Sequence, residues 1–311
     1  MRLLPAGAAA LALDGPAPLP AAAPGPSRHV TFHTLDVGGI PVFYREAGPG
    51  DAPVLLLLHG FPSSSHMFRD LIPLLADSFR VIAPDYPGFG QSGAPDPSDH
   101  SYDFGTLATA MDAFAEGLGL TQYSLYMQDY GGPVGMRMAM LHPERISGLI
   151  VQNATVHAEG WAPEIMAQFA PFWAGRSTET EAPLRTFLSA GTTRWQYEHG
   201  STRTGRLNPD AWTSDQAGLD RPGNDAIQLD YLWNYQANVA AYPDWQDFLR
   251  RTQPPALIVW GRNDPVFTLD AVAGWQELLP AAETRLYDAG HFALETHATE
   301  IAADIRGFLA R

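Results

Sequence analysis

The sequence predicts an α/β fold, doubly wound and split into two halves around an inserted helical segment. Three observations predict it. Continuous apolar runs at Pro53–Leu58, Tyr123–Met127, Ile146–Val151 and Pro255–Trp260 read as strands buried on both faces. Segments with helical apolar spacing, such as Phe104–Leu118, alternate with them. From about Thr155 to Arg250 the strand pattern disappears and aromatic-rich helical segments replace it.

In chain order, residues 1–27 are Ala- and Pro-rich and are read as a disordered leader outside the fold. Arg2, the apolar run Leu3–Leu13 and Ala21-Ala22-Ala23 also resemble a secretory signal, but the basic region is a single Arg and Pro5 interrupts the run. A cytoplasmic location is therefore favoured over export. Two short strands follow between Val30 and Arg45, then the buried strand ending at Leu58, then His59-Gly60-Phe61-Pro62. Ser63-Ser64-Ser65 offers cap oxygens for a helix from about His66 to Leu75. After the strand Arg80–Asp85, Gly88-Phe89-Gly90-Gln91-Ser92-Gly93 matches G-x-G-x-x-G, yet Ala94-Pro95-Asp96-Pro97 forbids the helix that a dinucleotide site needs at its third glycine.

The organising stretch is Tyr123–Ala154. A buried strand runs into Gln128-Asp129-Tyr130, and Gly131, Gly132, Pro133 and Gly135 open a helix. Asp129 thus sits on a sharp strand-to-helix turn that lifts one side chain above the sheet edge, with free helix N–H groups beside it. The strand Ile146–Val151 follows, and Asn153 just beyond it is placed to face the site. Past the helical insertion come the turn Gly261-Arg262-Asn263-Asp264, a helix at Leu269–Leu279, a last strand at Thr284–Tyr287, and a closing helix at Ile301–Leu309.

Four motifs carry a family resemblance. Leu58-His59-Gly60-Phe61-Pro62, Gln128-Asp129-Tyr130-Gly131-Gly132, Trp260-Gly261-Arg262-Asn263-Asp264 and Ala289-Gly290-His291-Phe292 lie in the order found in the α/β-hydrolase superfamily. The chain resembles the epoxide hydrolase and haloalkane dehalogenase branch over about residues 28–311. The resemblance implies a mostly parallel eight-stranded sheet built from 28–154 and 251–311, with a helical cap at 155–250. It also implies Asp129 as nucleophile, His291 as base, Asp264 as its partner, and the backbone amides of Phe61 and Tyr130 as oxyanion donors. Asp270 and Asp288 are rivals for Asp264; His59, His142 and His297 are read as structural, capping or surface residues.

An aspartate nucleophile implies alkyl transfer. Attack by Ser on an sp3 carbon would leave an ether that activated water cannot cleave, whereas attack by Asp leaves a hydrolysable ester. His291 would then remove a proton from water while Asp264 holds the imidazole. No metal or organic cofactor is required. Among cap aromatics, Tyr235 and Tyr197 are expected to protonate an epoxide oxygen, with Tyr231 a rival at i,i+4 from Tyr235, and Trp173 and Trp195 to line the substrate site.

Epoxide opening to a diol is the favoured reaction. The alternative is halide release; Gln128 leans that way, but Tyr130 replaces the usual Trp after the nucleophile. A catalytically inactive binding protein is the third reading, opposed by the complete Asp129, Asp264, His291 set. A small apolar organic substrate and water are the expected partners. The formal charge of −15 opposes binding to nucleic acid or an anionic membrane. The absence of cysteine excludes disulfides and thiolate chemistry, and no apolar run is long enough to span a bilayer.

Overall fold

A computed structural model describes residues 29–310; the expected leader, 1–27, lies outside the described residues. The strands are β1 (Thr31–Val37), β2 (Ile40–Ala47), β3 (Val54–Leu58), β4 (Arg80–Pro84), β5 (Tyr123–Gln128), β6 (Ile146–Gln152), β7 (Ala256–Gly261) and β8 (Glu283–Tyr287). They form one sheet in the order β1-β2-β4-β3-β5-β6-β7-β8. β1 and β2 pair antiparallel with each other and β2 pairs antiparallel with β4, while β3 to β8 run parallel.

Core helices flank it: α1 (Leu71–Leu75), α2 (Phe104–Gly117) and α3 (Gly131–Leu141) precede the insertion. The insertion holds α4 (Pro163–Ala174), α5 (Thr178–Arg185), α6 (Ala190–Glu198), α7 (Pro209–Leu219) and α8 (Asn224–Thr252), and α9 (Leu269–Leu278) and α10 (Leu294–Leu309) complete the second half. α8 carries the helical insertion two residues past Arg250 before the chain re-enters the sheet at β7.

Alternate strand residues explain why these runs read as continuously apolar. Leu56, Leu58, Leu125, Met127, Leu149 and Ile258 pack with α2, α3 and α9 on one face. Leu55, Leu57, Tyr126, Ile150, Leu257 and Val259 pack with α1 and α10 on the other. A helix on each face buries both side-chain sets, so no polar alternation survives.

The helix expected at His66–Leu75 is broken instead into a 3-10 turn, Ser65–Phe68, and the separate α1. Pro73 is the cause: it lacks an N–H, and its ring would meet the carbonyl of Arg69 in a continuous helix. The Ser64 hydroxyl does cap the turn, accepting from the His66 N–H at 3.2 Å. The glycine-rich loop after β4 leads to no helix before Phe104.

Candidate active site

Asp129 follows the last residue of β5 and has φ of 48°, in the left-handed region that a Cβ disfavours. The turn is held by close packing. A Cβ on Gly131 would collide with the Leu58 carbonyl, and one on Gly60 with Asp129 and with Gln128 Oε1. Glycine at 60 lets the loop after β3 close on the nucleophile position, where the Phe61 N–H donates to Asp129 Oδ1 at 2.6 Å. The Tyr130 N–H lies near enough to favour the charged carboxylate. Phe61 and Tyr130 thus present their amides at the expected atom.

Burial is the strongest influence on Asp129. It pushes the carboxyl up to about 6, against the lowering effects of His291 and the two amides. The N–H donors favour the charged form, and desolvation outweighs them.

His291, in the loop after β8, and Asp264, after β7, are brought together: His291 Nδ1–H donates to Asp264 Oδ2 at 2.8 Å. Two further donors hold that carboxylate. Asn153 Nδ2 reaches Oδ2 at 2.7 Å, and the Val266 N–H reaches Oδ1 at 2.7 Å. With its carboxylate accepting from three donors, Asp264 is bonded to the Nδ1–H of the ring, which in the neutral imidazole leaves Nε2 as the lone pair. Burial lowers the His291 pKa, but Asp264 and, more weakly, Asp129 together raise it above its ordinary value. Asp270 and Asp288 lie exposed, and the carboxylate bonded to His291 is that of Asp264.

Asn153, noted in sequence only as facing the site, is its central brace. With φ of 45° it accepts from the Gly261 N–H through Oδ1 at 3.0 Å, and its carbonyl accepts from the Asp129 N–H at 3.3 Å. One residue therefore ties the ends of β5, β6 and β7 together.

The expected cap residues divide. Tyr235 on α8 is 1% exposed; its ring contacts Tyr130 at 5.7 Å, Trp161 at 5.0 Å and Phe104 at 5.3 Å. Its hydroxyl is buried without a hydrogen-bond partner, as is that of Tyr130. Tyr242 comes near enough to influence the Tyr235 phenol without reaching hydrogen-bonding geometry. Burial, Tyr242 and Asp129 hold the Tyr235 phenol far above its usual range, so it stays protonated. Tyr231 joins the same aromatic group, at 6.3 Å from Tyr130, but spends its hydroxyl on the Pro87 carbonyl at 3.2 Å. Trp173 stacks near Tyr235 at 6.4 Å and donates its N–H to the Leu232 carbonyl at 2.9 Å.

Two expectations are overturned. Tyr197 stacks on Phe292 at 4.0 Å on the α1 and α10 face of the sheet, and its hydroxyl is bonded to the buried carboxyl of Asp215. Its ring is spent on packing and its hydroxyl on Asp215, which leaves no free donor for an epoxide oxygen. Trp195, on the other side of the short helix α6, is 36% exposed and leans on His199 at 5.0 Å. Residues i and i+2 diverge around a helix, and the Trp195 side is the solvent-exposed one.

The structural reading of His59 holds. Its Nε2 accepts from the Tyr86 N–H at 3.1 Å, its ring stacks on Tyr86 at 4.0 Å, and burial lowers its pKa to about 3. His142 pairs with Asp112 at 3.3 Å at the end of α3. His297 departs from the surface role: it is buried, bonded to Thr296 Oγ1 at 2.8 Å and packed on Tyr287 at 5.3 Å.

The site sits at the carboxyl ends of parallel strands, where open α/β sheets place their ligands. The chain belongs to the α/β-hydrolase fold family, whose sequence model matches residues 53–298. The family and an extensively matched relative mark the protein as a hydrolase, haloalkane dehalogenases are among its relatives, and an epoxide hydrolase shares its fold.

An uncharacterised hydrolase of Saccharomyces cerevisiae is 36% identical over 283 residues, covering 90% of this chain and 97% of its own. A cis-3-alkyl-4-alkyloxetan-2-one decarboxylase of Xanthomonas campestris is 28% identical over 92% of this chain and 98% of its own. A haloalkane dehalogenase of Bradyrhizobium diazoefficiens is 43% identical over 120 residues, 39% of this chain and 38% of its own. Among solved structures, the epoxide hydrolase CorEH superposes with a TM-score of 0.72 at 22% identity, covering 91% of this chain and 99% of that one. Among the described residues, no helix is long and apolar enough to cross a membrane.

Proposed function

We propose that this hydrolase opens epoxides to diols through an ester on Asp129. The carboxylate attacks a ring carbon and a C–O bond breaks. The departing oxygen takes a proton from a cap phenol. His291 then removes a proton from water as the water oxygen attacks Asp129 Cγ, with Asp264 stabilising the imidazolium; the Phe61 and Tyr130 amides hold the tetrahedral oxyanion. Collapse expels the diol oxygen, which takes the proton from His291, and the second water proton returns to the phenolate.

The observation that carries the reading is the Tyr235 hydroxyl: buried, protonated, unpartnered and close enough to Asp129 to feel its charge. A buried donor without an acceptor is costly unless a ligand supplies one. Tyr130, equally unpartnered, takes the second-donor role first assigned to Tyr197. A halide would instead need free N–H donors, and the indoles nearest Tyr235 are engaged. Trp161 donates to Tyr242 at 3.1 Å and Trp173 to Leu232.

Halide release is the second reading, supported by the similarity to a haloalkane dehalogenase. An inactive binding protein would have no use for the intact Asp129, Asp264, His291 arrangement. The test is incubation with styrene oxide and with 1,2-dibromoethane, following diol and bromide, beside His291→Gln. Diol formation by the wild type, and a substrate-sized mass adduct on Asp129 in His291→Gln, are expected, because the first step needs no base and the second does. Bromide without diol would move halide release ahead; no adduct from either compound would remove the ester mechanism.

A further inference from the structure

The scheme above leaves Gln128 idle, although it touches the base. Gln128 is the last residue of β5, is fully buried, and places Nε2 3.0 Å from His291 Nε2. In the neutral ring Asp264 fixes Nδ1 as the N–H, so His291 Nε2 is a lone pair to which the Gln128 amide donates. In the resting site, then, the atom that has to take a proton from water is covered by a side chain.

The other end of the amide is unpartnered. Gln128 Oε1 is buried without a hydrogen bond. It lies against the α-carbon of Gly60 together with Asp129 Oδ1: a Cβ on Gly60 would meet both oxygens. An orphan acceptor thus sits beside the nucleophile carboxylate and one amide length from the base.

We propose that Gln128 is a positioning residue that seats the hydrolytic water; the proposal rests on the ester mechanism above. Water displaces the amide N–H from His291, donates one proton toward His291 Nε2 and the other to Gln128 Oε1, and so points an oxygen lone pair at Asp129 Cγ. The bond that forms is water oxygen to Cγ, and the one that breaks on collapse is Cγ to the alkyl oxygen. Gln128 exchanges no proton.

Only the second half-reaction should feel its loss. Gln128→Met keeps the length and removes the acceptor, whereas Gln128→Glu keeps an acceptor oxygen and adds a charge facing the imidazolium. Rapid-quench mass spectrometry would follow the ester. In Gln128→Met, alkylation should stay within about twofold, while ester hydrolysis slows roughly ten- to a hundredfold. With hydrolysis limiting, kcat and KM fall together and kcat/KM is retained. Gln128→Glu should hydrolyse the ester faster than Gln128→Met above pH 8, with the acid limb of that step moved to higher pH. A merely structural glutamine would slow both steps alike.

Wild-type hydrolysis in Gln128→Met, or equal loss of both steps, overturns the proposal. If Gln128→Met fails to fold, Gln128→Glu decides alone, and an unmoved acid limb counts against it. His291→Gln run in parallel separates the two layers. An adduct there with normal turnover in Gln128→Met sinks only the water seat, whereas no adduct with any substrate sinks the ester mechanism beneath it.

Discussion

At Asp129, function and stability pull in opposite directions. Its folded pKa, about 6, lies above the ordinary carboxylate value because the group is buried. A raised pKa means the folded state binds the proton more tightly. The stability this supplies is present below the unfolded value near 4, and is lost as pH rises through about 6. Asp129→Asn should therefore melt at higher temperature than wild type at pH 8 and not at pH 4. Two pKa units set an upper bound of about 3 kcal/mol, and thermal melts at both pH values read it. The same shift predicts that single-turnover alkylation by the wild type falls as pH drops through about 6, since only the carboxylate attacks. Asp129→Asn should show no burst at any pH.

The two tyrosines give opposite expectations. Tyr235→Phe should slow epoxide ring opening by roughly ten- to a hundredfold, or about 1.4 to 2.7 kcal/mol, leaving ester hydrolysis largely intact. Tyr197→Phe should leave ring opening near wild type and lower the melting temperature, because the buried Asp215 loses its donor. Rapid-quench kinetics and melts on both variants separate these outcomes; equal turnover loss in both would contradict the placement of either phenol.

At the scale of elements, the strand-to-helix turn depends on contact of α3 with β3 and β5. Gly131 packs on the Leu58 carbonyl and Gly135 on Met127. Gly131→Ala must push the helix off the strand and tilt Asp129 away from the Phe61 amide. It is expected to destabilise by about 1 to 3 kcal/mol and to depress alkylation more than the melting temperature alone explains, as melts and burst kinetics would show.

The elements carrying the site were legible for a related reason. Strands buried on both faces write unbroken apolar runs, and Asp129 and Asp264 come just after two of them, whereas His291 follows the half-exposed edge strand β8 and was legible from its Ala289-Gly290-His291-Phe292 loop. The cap was less legible. Whether Tyr197 or Tyr235 faces Asp129 depends on how each helix is rotated, and the partner that decides it for Tyr197, Asp215, lies on another helix, α7. His297 hid for the same reason: a break in α10 at that residue, with φ of −132°, turns it inward under Tyr287. The unbroken helix expected at His66–Leu75 failed on a purely local rule, since Pro73 was visible throughout.

For the whole molecule, the sheet order explains how distant sequence motifs become one site. β3, β5, β6, β7 and β8 are spatial neighbours in that order. The residues just past their ends, Phe61, Asp129, Asn153, Asp264 and His291, therefore line up along one edge. Topology supplies the juxtaposition, and Asn153 then locks three of those ends together.

The insertion is less of a separate module than its composition suggests. α8 begins beside Gly223, whose φ of 78° closes the preceding turn, and runs for 29 residues. It carries Tyr231 and Tyr235 over Tyr130, and further along sets Trp245 against Arg137 of α3 at 5.0 Å. Anyone grafting a cap from a homologue would thus face a choice of splice point. A junction near residue 250 exchanges the whole of that helix and lays a foreign face on α3, whereas one at Gly223 lets the host keep its own seam and swaps only the outer helices.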